Sequence, residues 1–372
     1  MEGIQFWAQS NCRSTIAFYI ALASYFGVPY RICTGFRGKS RLLHGWQPSE
    51  FEGANIVHTD YDIKTCNRLF EEKAHWHQFF GVYQQDTSFV SILSMARTRS
   101  PGVGIGSEAP LNMFQPGLKR FAKALYLKYL LPLKLSKRIE GADFFLNYSG
   151  RFTGGINLGW DSIRVINAGY YPPPLPGSKF VDRTGSTSRG RKKKLFLSGV
   201  ESWHRGGDIL WRTLKKLREY WPKFEVFSTG NGPATVKLLS GEDCLPITFT
   251  GYLDLPTLIT QYETCDAFLA LGHEEPWGIR VNDALNCGAP VIISNGMGSS
   301  TVVSQYKCGW VFRAGSEDAL ADAIIHFISD EVGYRQRAAN VRAASKAIAP
   351  ANAAMLAGKE IADRFLNWRP SS

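Results

Sequence analysis

Paired cysteines are missing from this 372-residue chain. Its seven cysteines (Cys12, Cys33, Cys66, Cys244, Cys265, Cys287 and Cys308) stand singly, odd in number, with no CxxC pair. That argues against a zinc site and against a disulfide framework, and it points to reduced thiols. His75 and His77 form one HxH with no further ligands nearby, so no metal is expected. No leader is expected either, because Met1–Phe6 has no basic stretch ahead of an apolar core. Thr15–Tyr30 is uncharged but is interrupted by Ser24, Tyr25 and Gly27, and it falls short of the about 20 apolar residues that cross a bilayer. A cytoplasmic protein is the expectation. Acidic charge is in deficit, with 43 Lys and Arg against 32 Asp and Glu, a net +11. Such a surface draws phosphate-bearing partners: nucleic acid, an anionic membrane or phosphorylated small molecules. No nucleic-acid motif is present, so nucleic acid is not expected, although a basic nucleic-acid-binding protein is the non-enzymatic alternative.

What is present reads as two α/β units. Short apolar runs at residues 4–9, 29–34, 54–58, 79–84, 103–107, 142–147 and 163–167 read as strands, with helices at 13–26, 87–97 and 118–139. A break follows: Tyr170–Pro176 is YYPPPLP, and 177–191 is polar and rich in Gly, Ser and Arg. Proline runs stay extended, and so polar a stretch is not expected to pack a core. The pattern then restarts, with strands at 194–198, 224–228, 247–250, 267–271 and 291–294 and helices at 209–220, 279–286, 317–329 and 351–366. The expected fold is α/β, two Rossmann-like αβα domains facing across a cleft. The expected domains are 1–170 (acceptor side), a linker at 171–192, 193–348 (nucleotide-sugar binding), and a C-terminal helix in 349–372 that returns to the first domain.

The chemistry concentrates in Leu271–Ser294, LGHEEPWGIRVNDALNCGAPVIIS. A strand ends, a loop carries Glu274, Glu275, Pro276, Trp277 and Gly278, and a helix begins at Ile279. Glycine lets backbone approach a ligand, and a helix N-terminus offers free N–H groups to a diphosphate. Asp283 projects from the same helix and suits a ribose diol. Glu275 at the helix mouth suits sugar hydroxyls, and Trp277 hints at an aromatic pocket wall.

Glu275 and Asp283, with seven residues between them and the NCGAPVIIS turn following, resemble the E-x7-E element of GT-B fold glycosyltransferases. The likeness is greatest to the retaining family 4, "glycosyl transferases group 1". It implies that Glu275, with Glu274 as the alternative register, contacts the donor sugar. It also implies that Asp283, an Asp where Glu is usual, contacts the ribose. Leu195–Leu210, LFLSGVESWHRGGDIL, resembles the opening of the family's C-terminal domain, with Arg205-Gly206 in the place of its phosphate-binding Lys-Gly and Gly199 in the turn. The second cation usual five residues earlier is replaced by Val200; Arg280 either substitutes for it or pairs with Asp283 at i,i+3. STGNGP at 228–233 is the family's glycine-rich turn or a mere tight turn. Tyr252 in FTGYL either stacks on the donor base or packs.

The resemblance covers about 195–327 well. The first half matches in layout only, with SNCRS at 10–14 where the family has a Gly-Gly loop. Glu108 and His273 are further candidates for the cleft. GVGIG at 102–106 sits inside a strand-like run and is discounted as a dinucleotide fingerprint. The lone Asp60-Tyr61-Asp62 is expected to be a surface turn. The resemblance implies a retaining, metal-independent hexosyltransferase without cofactors. Such an enzyme moves sugar from a nucleotide-diphosphate sugar to a glycan or lipid-linked acceptor, as in surface polysaccharide or lipopolysaccharide synthesis. A nucleotide-sugar epimerase or another enzyme of this fold is the alternative. Lys119, Arg120, Lys123, Lys128, Lys134, Lys137 and Arg138, interleaved with Phe121, Tyr126 and Tyr129 and no acid, suggest peripheral contact with an anionic inner membrane face.

Overall fold

A computed structural model describes residues 3–8, 13–34, 54–58, 68, 69, 76–80, 96, 98, 102–107, 117–130, 142–149, 165–185, 190–199, 205–230 and 245–365. The chain divides into two compact units. The first comprises residues 1–110, 123–173 and 348–372, and the second comprises 111–122 and 174–347.

In the first unit, β1 (Ile4–Ala8), β2 (Tyr30–Thr34), β3 (Ile56–His58), β4 (Trp76–Phe80), β5 (Val103–Ser107), β6 (Phe144–Asn147) and β7 (Val165–Asn167) form one parallel sheet in the order β3-β2-β1-β4-β5-β6-β7. All five residues of β1 are buried, as befits a parallel strand covered on both faces. Helix α1 (Arg13–Phe26) has the span that its sequence predicts. Gly104 and Gly106 in β5 are packing glycines, since a Cβ on them would meet Gln78 at 2.1 Å and Tyr148 at 2.5 Å. The GVGIG run is thus strand.

The fourth strand lies upstream of its expected position at 79–84. His77 and Gln78 make the segment read as loop, yet both are buried. Trp7 Nε1 donates to His77 Nδ1 at 3.0 Å, which satisfies the imidazole inside the sheet. Burial pulls the His77 pKa down to about 3, the signature of a neutral core histidine.

Helix α2 (Leu118–Leu125) continues as a π-helical turn, Tyr126–Leu130, and the division between the units falls within α2. Residues 131–139 of the expected helix lie outside the described residues, as does most of 87–97.

The second unit repeats the plan. Strands β8 (Lys193–Ser198), β9 (Phe224–Thr229), β10 (Ile247–Phe249), β11 (Ala267–Ala270), β12 (Val291–Ser294) and β13 (Gly309–Phe312) form a parallel sheet ordered β10-β9-β8-β11-β12-β13. Its helices are α3 (Gly207–Lys216), α4 (Leu255–Thr264), α5 (Ile279–Asn286), α6 (Ser300–Tyr306), α7 (Glu317–Ser329) and α8 (Glu331–Ala347). Leu195, Ile209, Leu214, Ile292, Ile324 and Phe327 meet in its core. The last helix, α9 (Pro350–Phe365), belongs to the first unit and lies along α1. Gly358 permits that approach, because a Cβ there would stand 2.3 Å from the Tyr25 ring.

The polar stretch after the proline run does pack, contrary to expectation. Arg183 is 4% exposed and drives its guanidinium among backbone carbonyls. Nε donates to Cys265 at 2.9 Å, Nη1 to Cys287 at 2.8 Å, and Nη2 to Tyr262 and Glu263 at 2.8 and 2.9 Å. These carbonyls close the C-terminal ends of α4 and α5, where a cation also opposes the helix dipoles. One rigid five-donor fork does what a polar loop composition does not foretell. Cys33, Cys265, Cys287 and Cys308 are free and buried.

Candidate functional site

The site lies where β8, β11 and β12 end, at the carboxyl edge of the second sheet. β8 runs into Gly199, which takes φ 64°, and α3 is entered through Gly206 at φ 75°. A Cβ on Gly206 would lie 2.1 Å from the Leu271 carbonyl oxygen, so only glycine lets the start of α3 touch the end of β11. A side chain on Gly199 would meet Arg205 Nη1 at 2.9 Å and Arg280 Nη1 at 3.4 Å. Two guanidinium groups from distant parts of the sequence therefore converge on one α-carbon. Arg280 is fixed there by donating Nη1 to the Ser198 carbonyl at 2.6 Å.

Helix α5 begins at Gly278, φ 88°, so its open N-terminal N–H groups face the same region. Gly199, Arg205, Glu275, Gly278, Arg280 and Met297 share one pocket. The loop carrying Glu275 is zipped to the segment after β12. Glu275 N donates to Gly296 O at 3.0 Å, and Gly298 N donates back to Glu275 O at 3.0 Å. This pairing makes a parallel bridge between Glu275 and Met297. Ser294 Oγ closes the near end by donating to Gly272 O, and Ser299 N closes the far end by donating to Trp277 O at 2.9 Å. A loop so tied holds its carboxylate in place.

The other expected residues divide. Ile279 opens α5 and is half-buried. Tyr252 is 71% exposed, just beyond Gly251, which exchanges backbone hydrogen bonds with Gly230. Asp283, half-buried in the second turn of α5, does not line the pocket of Arg205 and Glu275; its charge adds to burial in raising the Tyr262 hydroxyl. Trp277 is buried rather than a pocket wall, and its Nε1 donates to Asn282 Oδ1 at 2.8 Å. His273 also lies off the pocket, with Nε2 2.7 Å from Asp208 Oδ1 in the first turn of α3. Asp208 in turn accepts from Arg212 at 3.2 Å. Glu108, Asp60, Asp62, His75 and Val200 lie outside the described residues. Among the described residues, no cluster of three or more His, Cys, Asp or Glu side chains is assembled for a metal.

Sequence reasoning missed Met297 and Asp208. The run NGMGSS directly after the VIIS strand is the signal for the first, a glycine-rich strand exit like the one at Gly199. Asp208 sits at the third position after Arg205, within a motif otherwise read for its cation.

Residues 179–346 match the family model for "Glycosyl transferases group 1". The second unit is a glycosyl transferases group 1 domain. The chain is 28% identical over 129 residues to a GDP-mannose-dependent alpha-(1-6)-phosphatidylinositol dimannoside mannosyltransferase of Mycobacterium tuberculosis. That match covers 34% of this chain and 33% of the relative, so the chain spans about a third of the relative's length. The fold resembles that of the lipopolysaccharide outer core galactosyltransferase WaaB in its apo form, with TM-score 0.67 and 13% identity over 98% of this chain and 100% of that one. It also resembles Anabaena HepE in complex with UDP-glucose, at TM-score 0.65 and 14% identity over 98% and 100% of the two chains. These likenesses fit two parallel-sheet α/β domains of the GT-B type.

Proposed function

We propose that this chain is a glycosyltransferase that moves a hexose-type sugar from a nucleotide-diphosphate sugar to a glycan or lipid-linked acceptor, in the assembly of surface polysaccharide or lipopolysaccharide. The observation that carries the reading is the convergence of Arg205 and Arg280 on Gly199, in one pocket with Glu275 and the start of α5. Two guanidinium forks close together at a helix N-terminus suit a diphosphate, whose oxygens can bridge them.

In the reaction the bond from the anomeric carbon to the diphosphate oxygen breaks, and a bond to the acceptor oxygen forms. The acceptor proton leaves with the departing diphosphate. Negative charge grows on the leaving group, where Arg205, Arg280 and the α5 N–H groups stabilise it, so the positive charge is protein-borne and metal-independent. Glu275 orients the sugar hydroxyls. The backbone of Gly199, Gly206, Gly278 and Ile279 admits the phosphates, with Trp277 fixing the loop from beneath. Asp283 is assigned to the ribose, and exposed Tyr252 to the base. Front-side attack with retention follows from the family resemblance.

The test is transfer from a panel of UDP- and GDP-sugars, with the products identified. Arg205→Ala and Glu275→Ala are each expected to lose about 3 kcal/mol of barrier stabilisation, roughly a hundredfold in turnover. Wild-type turnover in both overturns the reading, and an epimerised nucleotide sugar as sole product replaces it with the epimerase alternative.

The lipid-linked acceptor and a peripheral membrane position rest on α2. Leu118, Phe121 and Tyr129 are 83%, 62% and 56% exposed alongside Lys119 and Lys123. Apolar side chains among lysines suit an anionic lipid surface. Among the described residues, no helix is long and apolar enough to cross a membrane. Flotation with anionic liposomes is expected at low salt and is expected to weaken at high salt; absence of binding at low salt removes the membrane position.

A further inference from the structure

Among the side chains lining the pocket is one from a third segment, which neither the diphosphate nor the charge argument uses. Met297 lines it, is 5% exposed, and comes from the segment after β12 rather than from the acidic loop or α5. Its position is fixed three times over. The bridge to Glu275 sets the two residues side by side. Gly296, immediately before it, fits only without a side chain, because a Cβ there would stand 2.2 Å from the His273 carbonyl oxygen, so the register cannot slip. The Met297 Cε methyl lies over the first residue of the α5 entrance, 2.4 Å from where a Cβ of Gly278 would be.

A thioether thus lies at the helix mouth assigned to the phosphate, on a residue bridged through its backbone to the Glu275 assigned to the sugar. A sugar held by Glu275 with its diphosphate at Gly278 would share the pocket with this side chain. The wall expected of Trp277 is supplied by Met297, since the indole is turned into the core.

From this arrangement we infer that Met297 determines which sugar the pocket accepts, an inference that rests on the glycosyltransferase reading above. An unbranched apolar arm excludes bulk at the substituent facing it and offers no partner to a polar group there. It touches the sugar, not the nucleotide, and so selects between donors that share a nucleoside diphosphate. Its three rotatable bonds let it yield a little, so the discrimination is moderate and not absolute.

The experiment compares kcat/KM across UDP- and GDP-linked glucose, galactose, mannose and their 2-acetamido counterparts, in the full chain and in Met297→Ala and Met297→Leu. Met297→Ala is expected to change at least one donor ratio by about tenfold or more, the scale of one or two methylenes in an apolar pocket. The bulkier sugars should gain. Met297→Leu, similar in volume and branched, is expected to shift the ranking less. Binding of free UDP and GDP, followed by thermal shift, should be the same in all three proteins, which also checks that the variants fold. A donor ranking unchanged within twofold in both variants, with nucleotide binding intact, overturns the inference and leaves the glycosyltransferase reading standing. Failure of the wild-type chain to bind either nucleotide or to turn over any donor overturns that reading, and the inference falls with it.

Discussion

The two units open in the same way and end differently. Each sheet runs outward from its first strand, β3-β2-β1-β4 in one and β10-β9-β8-β11 in the other, and each first strand leads to a helix that begins with or just after an arginine. In the first unit Arg13 spends its Nη2 on the Pro173 carbonyl at 2.5 Å, a bond that ties down the end of that unit's own chain. In the second, Arg205 stands over Gly199 beside Arg280, in a pocket. The topology is shared; the difference follows from the left-handed glycines Gly199, Gly206 and Gly278, which shape one junction into a pocket. The same architecture thus serves as fastening on one side and as candidate anion receptor on the other.

That contrast can be broken in three places. The largest effect is expected at the glycines. Gly206 and Gly27 both adopt positive φ, but a Cβ on Gly206 strikes the Leu271 carbonyl, whereas nothing lies within 4 Å of one on Gly27. Gly206→Ala should cost about 3 kcal/mol or more in chemical denaturation, from strain and clash together, and Gly27→Ala only the conformational part, about 1 kcal/mol. Equal costs would mean that the tight junction relaxes freely.

Next in size are the arginines. Arg280→Ala should weaken binding of a nucleoside diphosphate by about 2 kcal/mol, roughly thirtyfold by titration calorimetry, for loss of one charge-assisted contact. Arg13→Ala should leave that affinity unchanged. A matched loss in both would dissolve the distinction between fastening and receptor.

The smallest effect, read over a single pH unit, is a pH dependence in the first unit. Folded His77 stays neutral until about pH 3 because of burial, while in the unfolded chain it protonates near 6.5. The unfolded state therefore binds the extra proton as pH falls, so this contribution to stability is complete above about 6.5 and is lost between there and about 3. Its slope is at most about 1.4 kcal/mol per pH unit. His77→Gln should flatten the acid limb of the thermal unfolding profile; an unchanged limb would assign acid sensitivity elsewhere.

Legibility in the sequence cut across the two units. Helices α1, α5 and α7 and strands β5 and β12 have the spans read from hydrophobic patterning, because apolar periodicity and flanking glycines or capping residues agreed there. Helix α4 escaped although Asp254 caps it by accepting from Thr257 N, because only Ile259 and Tyr262 bury a face. Helix α8 escaped for a related reason: Tyr334, Ala338, Val341 and Ala344 keep helical spacing, but alanine is a faint apolar mark among seven charged or amide side chains. At the site, the glycines, Arg205 and Glu275 could be read from a motif. Arg280 left two readings open, and the structure adds a contact that neither included, the Ser198 carbonyl, far away in sequence. Met297 was missed because its glycine-rich surroundings mark only a strand exit, while its place at the pocket comes from a backbone bridge to Glu275.

Arg183 lends the molecule an uncommon economy of parts. The strip of chain arriving from the first unit is bolted to the rear of α5, while the front of that same helix forms the mouth of the pocket. Removing the bolt would loosen the receptor from behind, with every side chain at its rim untouched.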